Sequence, residues 1–175
     1  MLRTLLSATV ATVALSGIAA ADAGEYNASV GVNFIDMEGF TFYAASFRGG
    51  YEFTDYLGLE GQLDIGLGDN SVLVGATSVD VELDYALSAF AIARAPVAEN
   101  VNLFGRIGYT TAEASASAAG TGFSDDDDGF AFGVGGEIFL DGRNGFRFDY
   151  TRIDFDQGGE ADTFGLTFTH VFGAR

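Results

Sequence analysis

Cysteine, lysine and tryptophan are absent from this chain, and proline and histidine occur once each. Each absence removes a class of explanation. Without cysteine there is no disulfide framework, no thiolate ligand set and no thiol nucleophile. The one proline, Pro96, leaves nothing to interrupt strands elsewhere. The one histidine, His170, must serve in any histidine-based catalysis. Basic residues number 8 against 25 acids, a formal charge of −17, which excludes the basic surface a nucleic-acid binder needs. Beyond the N-terminus no apolar run approaches the about 20 residues of a membrane-spanning helix.

What is present is glycine, phenylalanine and alternation. The 25 glycines and 17 phenylalanines disfavour helices and favour strands. Residues 1–21 read as an export signal, with Arg3 before an apolar core from Leu5 to Ile18 and small-residue sites for cleavage after Ala21 or Ala23. Residues 22–175 then make one domain. The clearest alternation is the last. From Thr163 to Phe172, Phe164, Leu166, Phe168, His170 and Phe172 share one side, and Thr163, Gly165, Thr167, Thr169 and Val171 the other.

Seven further strands are predicted: Tyr26–Phe34, Thr41–Phe53, Tyr56–Leu67, Val79–Ala93, Val101–Thr111, Gly129–Leu140 and Phe146–Ile153. Their lengths suit tilted crossings of a bilayer. Short turns are expected at Thr54-Asp55, at Ala95–Asn100 around Pro96, and at Asp141–Gly145. Longer polar connections are expected at Ile35–Phe40, Gly68–Ser78, Ala112–Asp128 and Asp154–Asp162. Short turns at one end and long loops at the other describe an outer-membrane barrel with both termini on the periplasmic side.

The fold expected is therefore all-β: an eight-stranded antiparallel up-and-down transmembrane β-barrel. In hydrocarbon a sheet survives only when closed. A soluble barrel with the large apolar faces inside would overfill an eight-stranded interior, and sandwich strands are usually shorter. Lipid therefore meets the phenylalanines and leucines, and the lumen holds the charges. On strict parity eight acids face inward: Glu52, Glu60, Asp64, Asp80, Glu82, Asp84, Glu137 and Asp149. Arg48, Arg106 and Arg147 face them. Arg48 is expected near Glu60 and Arg147 diagonal to Glu137. Two readings remain open: a structural ionic plug, or a narrow cation-preferring pore.

The stretches Gly50–Gly61 (GYEFTDYLGLEG), Leu103–Tyr109 (LFGRIGY) and Phe146–Arg152 (FRFDYTR), with the phenylalanine-rich last strand, resemble the small outer-membrane β-barrel family. This is the OmpA/OmpX-like group that includes opacity-type and "porin family" proteins. The resemblance implies outer-membrane lipid and lipopolysaccharide as surroundings, and a structural or surface-interacting role. It also implies that Gly165, Phe168, His170 and Phe172 form the signal read by the barrel-assembly machinery. An extracellular ligand is left unnamed, a monomer is expected, and no cofactor is implied.

Two further features invite chemistry. His170 has Phe168 and Phe172 as its same-face neighbours, so the paired histidine and serine of a lipid-modifying barrel are missing and no enzyme is expected. Asp125, Asp126, Asp127 and Asp128 suit calcium as oxygen ligands, or form a solvated acidic loop tip; their spacing is not that of an EF-hand.

Overall fold

A computed structural model describes residues 24–37, 40–74, 77–118 and 121–172, with the side chains of 69–80, 116, 118 and 121 left out. The export segment expected at 1–21 lies outside the described residues, as do residues 173–175. The described residues form nine strands: β1 (Glu25–Met37), β2 (Phe40–Glu52), β3 (Leu57–Gly66), β4 (Asp69–Val74), β5 (Thr77–Ala98), β6 (Val101–Ala118), β7 (Thr121–Phe139), β8 (Asn144–Phe155) and β9 (Glu160–Phe172). Eight of them close a barrel. The order runs β3-β2-β1-β9-β8-β7-β6-β5, and β5 returns to β3, with every pairing antiparallel. The last strand closes on the first, with Phe34 opposite Phe164 and Tyr26 opposite Phe172. Closure leaves the barrel wall without an open edge, the condition for a sheet in lipid.

Alternation decides which side each residue takes. In β1, Asn27, Ser29 and Asn33 are buried inside while Tyr26, Val30, Val32 and Phe34 face out. Tyr26 to Phe34 spans eight steps, about 27 Å along the strand and about 20 Å along the axis of a tilted barrel. That approaches the apolar band of an outer membrane.

At one end the turns are short and chemically specified. Thr54 Oγ1 accepts the backbone N–H groups of Tyr56 (3.2 Å) and Leu57 (3.0 Å), closing the turn between β2 and β3. Asp141 does the same before β8, accepting from Arg143 N, Asn144 N and Asn144 Nδ2. Gly142 sits at φ 79°, a left-handed position that favours glycine.

The other end differs from the expectation of long loops. The segment Ala112–Asp128 is mostly ladder, with β6 and β7 paired from Val101/Ile138 out to Ala118/Thr121. Part of Gly68–Ser78 is β4, paired to β5 from Asp69/Glu82 to Val74/Thr77. β1 and β2 pair as far as Met37/Phe40, and β8 and β9 as far as Asp154/Glu160. Polar, small-residue composition suggested loops, but backbone pairing continues wherever a neighbouring strand is present. Pro96 also lies inside β5 rather than in a turn. It stands beyond the β3 pairing, which stops at Ala93, and beside a register shift at Pro96/Ala98, where its missing N–H leaves no gap in a ladder.

Candidate functional site: the barrel lumen

The lumen has three levels, built from inward residues of almost every strand. At the short-turn end Arg94 holds Glu137 (Nε to Oε2, 3.2 Å) and Glu52 (Nη1 to Oε1, 3.2 Å). These line a cavity of about 610 Å³ together with Glu25, Asp55, Glu99 and Phe139.

The middle level is a charged layer with side chains no more than 1% exposed. Arg147 pairs with Glu60. Arg106 bridges two acids, donating to Glu60 Oε1 (3.1 Å) and Asp149 Oδ1 (2.6 Å), and also reaches Gln62 and Thr151. Arg48 closes the layer on Asp149 at 2.5 Å and donates to Asn33 Oδ1 at 3.1 Å. Asp64 accepts from Asn33 Nδ2 (2.7 Å) and Gln62 Nε2 (2.6 Å). Burying a charge is tolerated only when it is paired and hydrogen-bonded, and most of these groups carry two or more partners. Two phenylalanines inside the barrel serve the same layer. Arg106 lies over the Phe90 ring at 4.3 Å and Arg147 over Phe104 at 4.1 Å. Their cross-strand neighbours are Gly108 and Gly135, where a Cβ would collide with the rings.

Above the charges, toward the long-strand end, the interior turns apolar. Ile35, Phe42, Ala44, Leu83, Phe90, Ala131, Ile153 and Ala161 form one buried cluster, with Met37, Val81, Ala112 and Phe155 packed on it.

Several expectations are corrected. Glu82 is exposed, and Asp84 is half-buried and bonded by Ser115 Oγ at 2.5 Å; neither belongs to the lumen network. The cause is a bulge between Leu83 and Tyr85, which inserts Asp84 and swaps the sides of the strand beyond it. The side chain of Asp80 lies outside the described residues. Arg48 stands opposite Gln62 and diagonal to Glu60, near it as expected, but its ion pair is made across the lumen with Asp149, while Arg147 and Arg106 hold Glu60. Arg147 is directly opposite Glu137, not diagonal to it. Among the described residues the lumen therefore holds Glu52, Glu60, Asp64, Glu137 and Asp149 against Arg48, Arg94, Arg106 and Arg147, a near balance instead of a large acidic excess. Arg94 lies one residue beyond the predicted end of the fourth strand at Ala93, whereas β5 continues to Ala98. It shares the side of Phe90 and Ile92, so continuing the alternation by one residue finds it.

Asp125–Asp128 do not form a loop tip. They are ladder residues of β7 opposite Thr111–Ala114, and successive strand residues point to opposite sides. Four such carboxylates cannot converge on one ion, and among the described residues no group of three acidic or histidine side chains is placed to hold a metal. Asp127 Oδ1 instead accepts the backbone N–H groups of Asp128 and Gln157. In the last strand Phe168 and Phe172 face out, and Gly165 faces in against Arg48, Asn33 and Asp149. His170 Nδ1 lies 2.7 Å from Asn144 Oδ1, with its ring edge-on to Phe172.

No protein of curated function matches the sequence. Solved structures do. Ail of Yersinia pestis aligns with a TM-score of 0.62 at 20% identity, covering 86% of this chain and 99% of that one. The N-terminal β-barrel domain of Pseudomonas aeruginosa OprF aligns at 0.61 and 12% identity, over 85% and 99%. Pseudomonas aeruginosa OprG aligns at 0.62 and 12%, over 87% and 97%. At these identities the likeness establishes the fold alone. The family model for the outer membrane protein beta-barrel domain matches residues 5–172. With its eight-stranded closure, charged lumen and lipid-facing aromatic wall, the chain belongs to the outer membrane protein β-barrel domain family.

Proposed function

We propose that this protein is a closed barrel of the outer membrane, non-enzymatic, whose role is structural and surface-interacting. The observation that carries the reading is how the lumen is filled. A layer of buried, ion-paired arginines and carboxylates lies in series with a buried apolar cluster. Planar-bilayer recording on the purified barrel tests it. The expected result is no sustained single-channel conductance, and regular conductance steps would overturn it. Arg106→Ala separates plug from gate: unchanged silence with lower heat resistance supports a structural plug, whereas new conductance supports a gate.

The alternative, a narrow cation-preferring pore, draws on the acidic cavity of about 610 Å³ at the short-turn end. The near balance of lumen charge and the apolar level beyond it weigh against that reading. Outer-membrane lipid and lipopolysaccharide remain the surroundings proposed, with the barrel-assembly machinery as reader of Phe168, His170 and Phe172. Gly165 contributes to that strand by fitting the lumen. Ail has been solved with the heparin analogue sucrose octasulfate. The exposed carboxylates Asp125 and Asp126 oppose a polysulfated ligand on the present chain.

A further inference from the structure

The bulge at Asp84 has an effect beyond moving two acids. Below it, Ala86, Ser88, Phe90, Ile92 and Arg94 face the lumen; above it, Leu83 and Val81 do. The apolar side of β5 thus continues past the barrel's apolar cluster into the projecting part of the β5–β6–β7 ladder. Register carries it across the strands. Leu83 stands opposite Ala114 and Ala114 opposite Asp125; Val81 stands opposite Ala116 and Ala116 opposite Phe123. Directly opposed residues share a face, so Phe123 belongs to the side of Leu83 and Val81.

Phe123 is 74% exposed, the most exposed large apolar side chain described. Lipid does not account for it. The first lipid-facing ring on the same strand is Phe130, about 23 Å further along at about 3.3 Å per residue. Four aspartates, Asp125–Asp128, stand between them. A phenylalanine held on a paired strand well outside the hydrocarbon, continuous with an apolar patch, is the informative kind of exposure. Charge restricts what can cover it. Glu82, Asp84, Glu113, Asp125 and Asp126 surround the ladder. Among the described residues the arginine of that end is Arg152, already paired with Asp154, Glu160 and Asp162. A second copy of this chain, itself at −17, is repelled, as is a phosphate- or sulfate-rich surface.

We infer that the Phe123 face of the projecting ladder docks a protein segment bearing an apolar or aromatic anchor flanked by arginine or lysine. The inference deepens the surface-interaction reading and rests on it. Phe123 and Val81 supply the apolar seat, and Asp125, two residues along on the same face, supplies charge complementarity and orientation.

The chain's lack of tryptophan makes a tryptophan-bearing probe self-reporting. The probe is a short capped peptide containing Arg-Trp-Arg, titrated against the full barrel in zwitterionic nanodiscs, with empty nanodiscs as blank and a Glu-Trp-Glu peptide as charge control. The expected result is a saturable blue shift that weakens as salt rises. It falls roughly tenfold or more in Phe123→Ser, and substantially in Asp125→Asn. Both variants alter exposed side chains, and heat-modifiable gel migration verifies that they fold. Equal binding of the Glu-Trp-Glu peptide, wild-type affinity in Phe123→Ser, or no signal above empty nanodiscs would each overturn the inference. Channel recording on the same preparation keeps the two readings apart: conductance sinks the closed-barrel proposal alone, and a silent barrel that ignores the basic probe sinks the docking proposal alone.

Discussion

At the scale of single residues, the lumen depends on what is not there as much as on what is. Gly165 faces inward, and a Cβ at that position would lie 2.7 Å from Arg48 Nη2, 2.8 Å from Asn33 Oδ1 and 2.9 Å from Asp149 Oδ1. Gly61 faces out and a Cβ there meets only Gly49 O at 4.0 Å. Gly165→Ala is therefore expected to destabilise the barrel by about 1–3 kcal/mol through displaced charge partners. Gly61→Ala is expected to be neutral or stabilising by up to about 1 kcal/mol. Urea unfolding midpoints in bilayers check both. Arg147 faces Glu60, Glu137 and Asp149 with no exposure. Removing it as Arg147→Ala leaves buried carboxylates uncompensated and should cost about 3–5 kcal/mol in the same assay. Asp141, in a turn outside the membrane-spanning strands, behaves differently. Its carboxyl is lowered from 3.8 to about 2, first by the hydrogen bond from the Asn144 side chain, then by the backbone N–H groups of Asn144 and Arg143. A depressed folded pKa means the contribution is fully present above about pH 4 and is lost as pH falls through about 2. Asp141→Asn should flatten the change in unfolding midpoint between those values, and an unchanged pH profile would remove the turn from the account.

At the scale of elements, one inserted residue governs the upper barrel. Alternation along Val79–Ala93 predicts one unbroken strand, and reading it so sends Glu82 and Asp84 inward. The bulge at Asp84 restores an apolar inner side by returning Leu83 and Val81 to the interior. Deleting Asp84 should regularise β5: Leu83 becomes the neighbour of Tyr85, and Leu83 and Val81 keep the interior side while Glu82 stays outside. The expected outcome is a barrel that closes with β5 and β6 as protease-resistant as in the parent, read by limited digestion and mass analysis; faster cleavage there would show that the bulge itself is required. The last strand illustrates the opposite case. Thr163–Phe172 alternates without a break, and its pairings with β1 and β8 run without a register shift. Strand sides were therefore legible wherever the ladder was regular, and misleading past the bulge, because a β-bulge leaves no composition signal in a sequence that already alternates valines with acids.

At the scale of the molecule, lipid outside and charge inside is one arrangement with one test. The natural absence of cysteine permits single introduced thiols without a background. A nitroxide at Phe132→Cys is expected to be relaxed by oxygen dissolved in the acyl chains, while Thr167→Cys, buried in the lumen, should not be; reversal of the two would overturn the orientation of every strand. Period-two alternation, the shortage of proline and the acidic, lysine-free composition by themselves determined a closed antiparallel barrel of eight membrane-crossing strands, because strand geometry converts sequence parity directly into sides. Partners across the lumen were decided only by tertiary structure. Arg48 and Asp149 are separated by 101 positions and meet because closure of β9 on β1 brings β2 and β8 face to face across a narrow interior. Parity says that a charge points inward, but only the closed cylinder sets its depth and its opposite number.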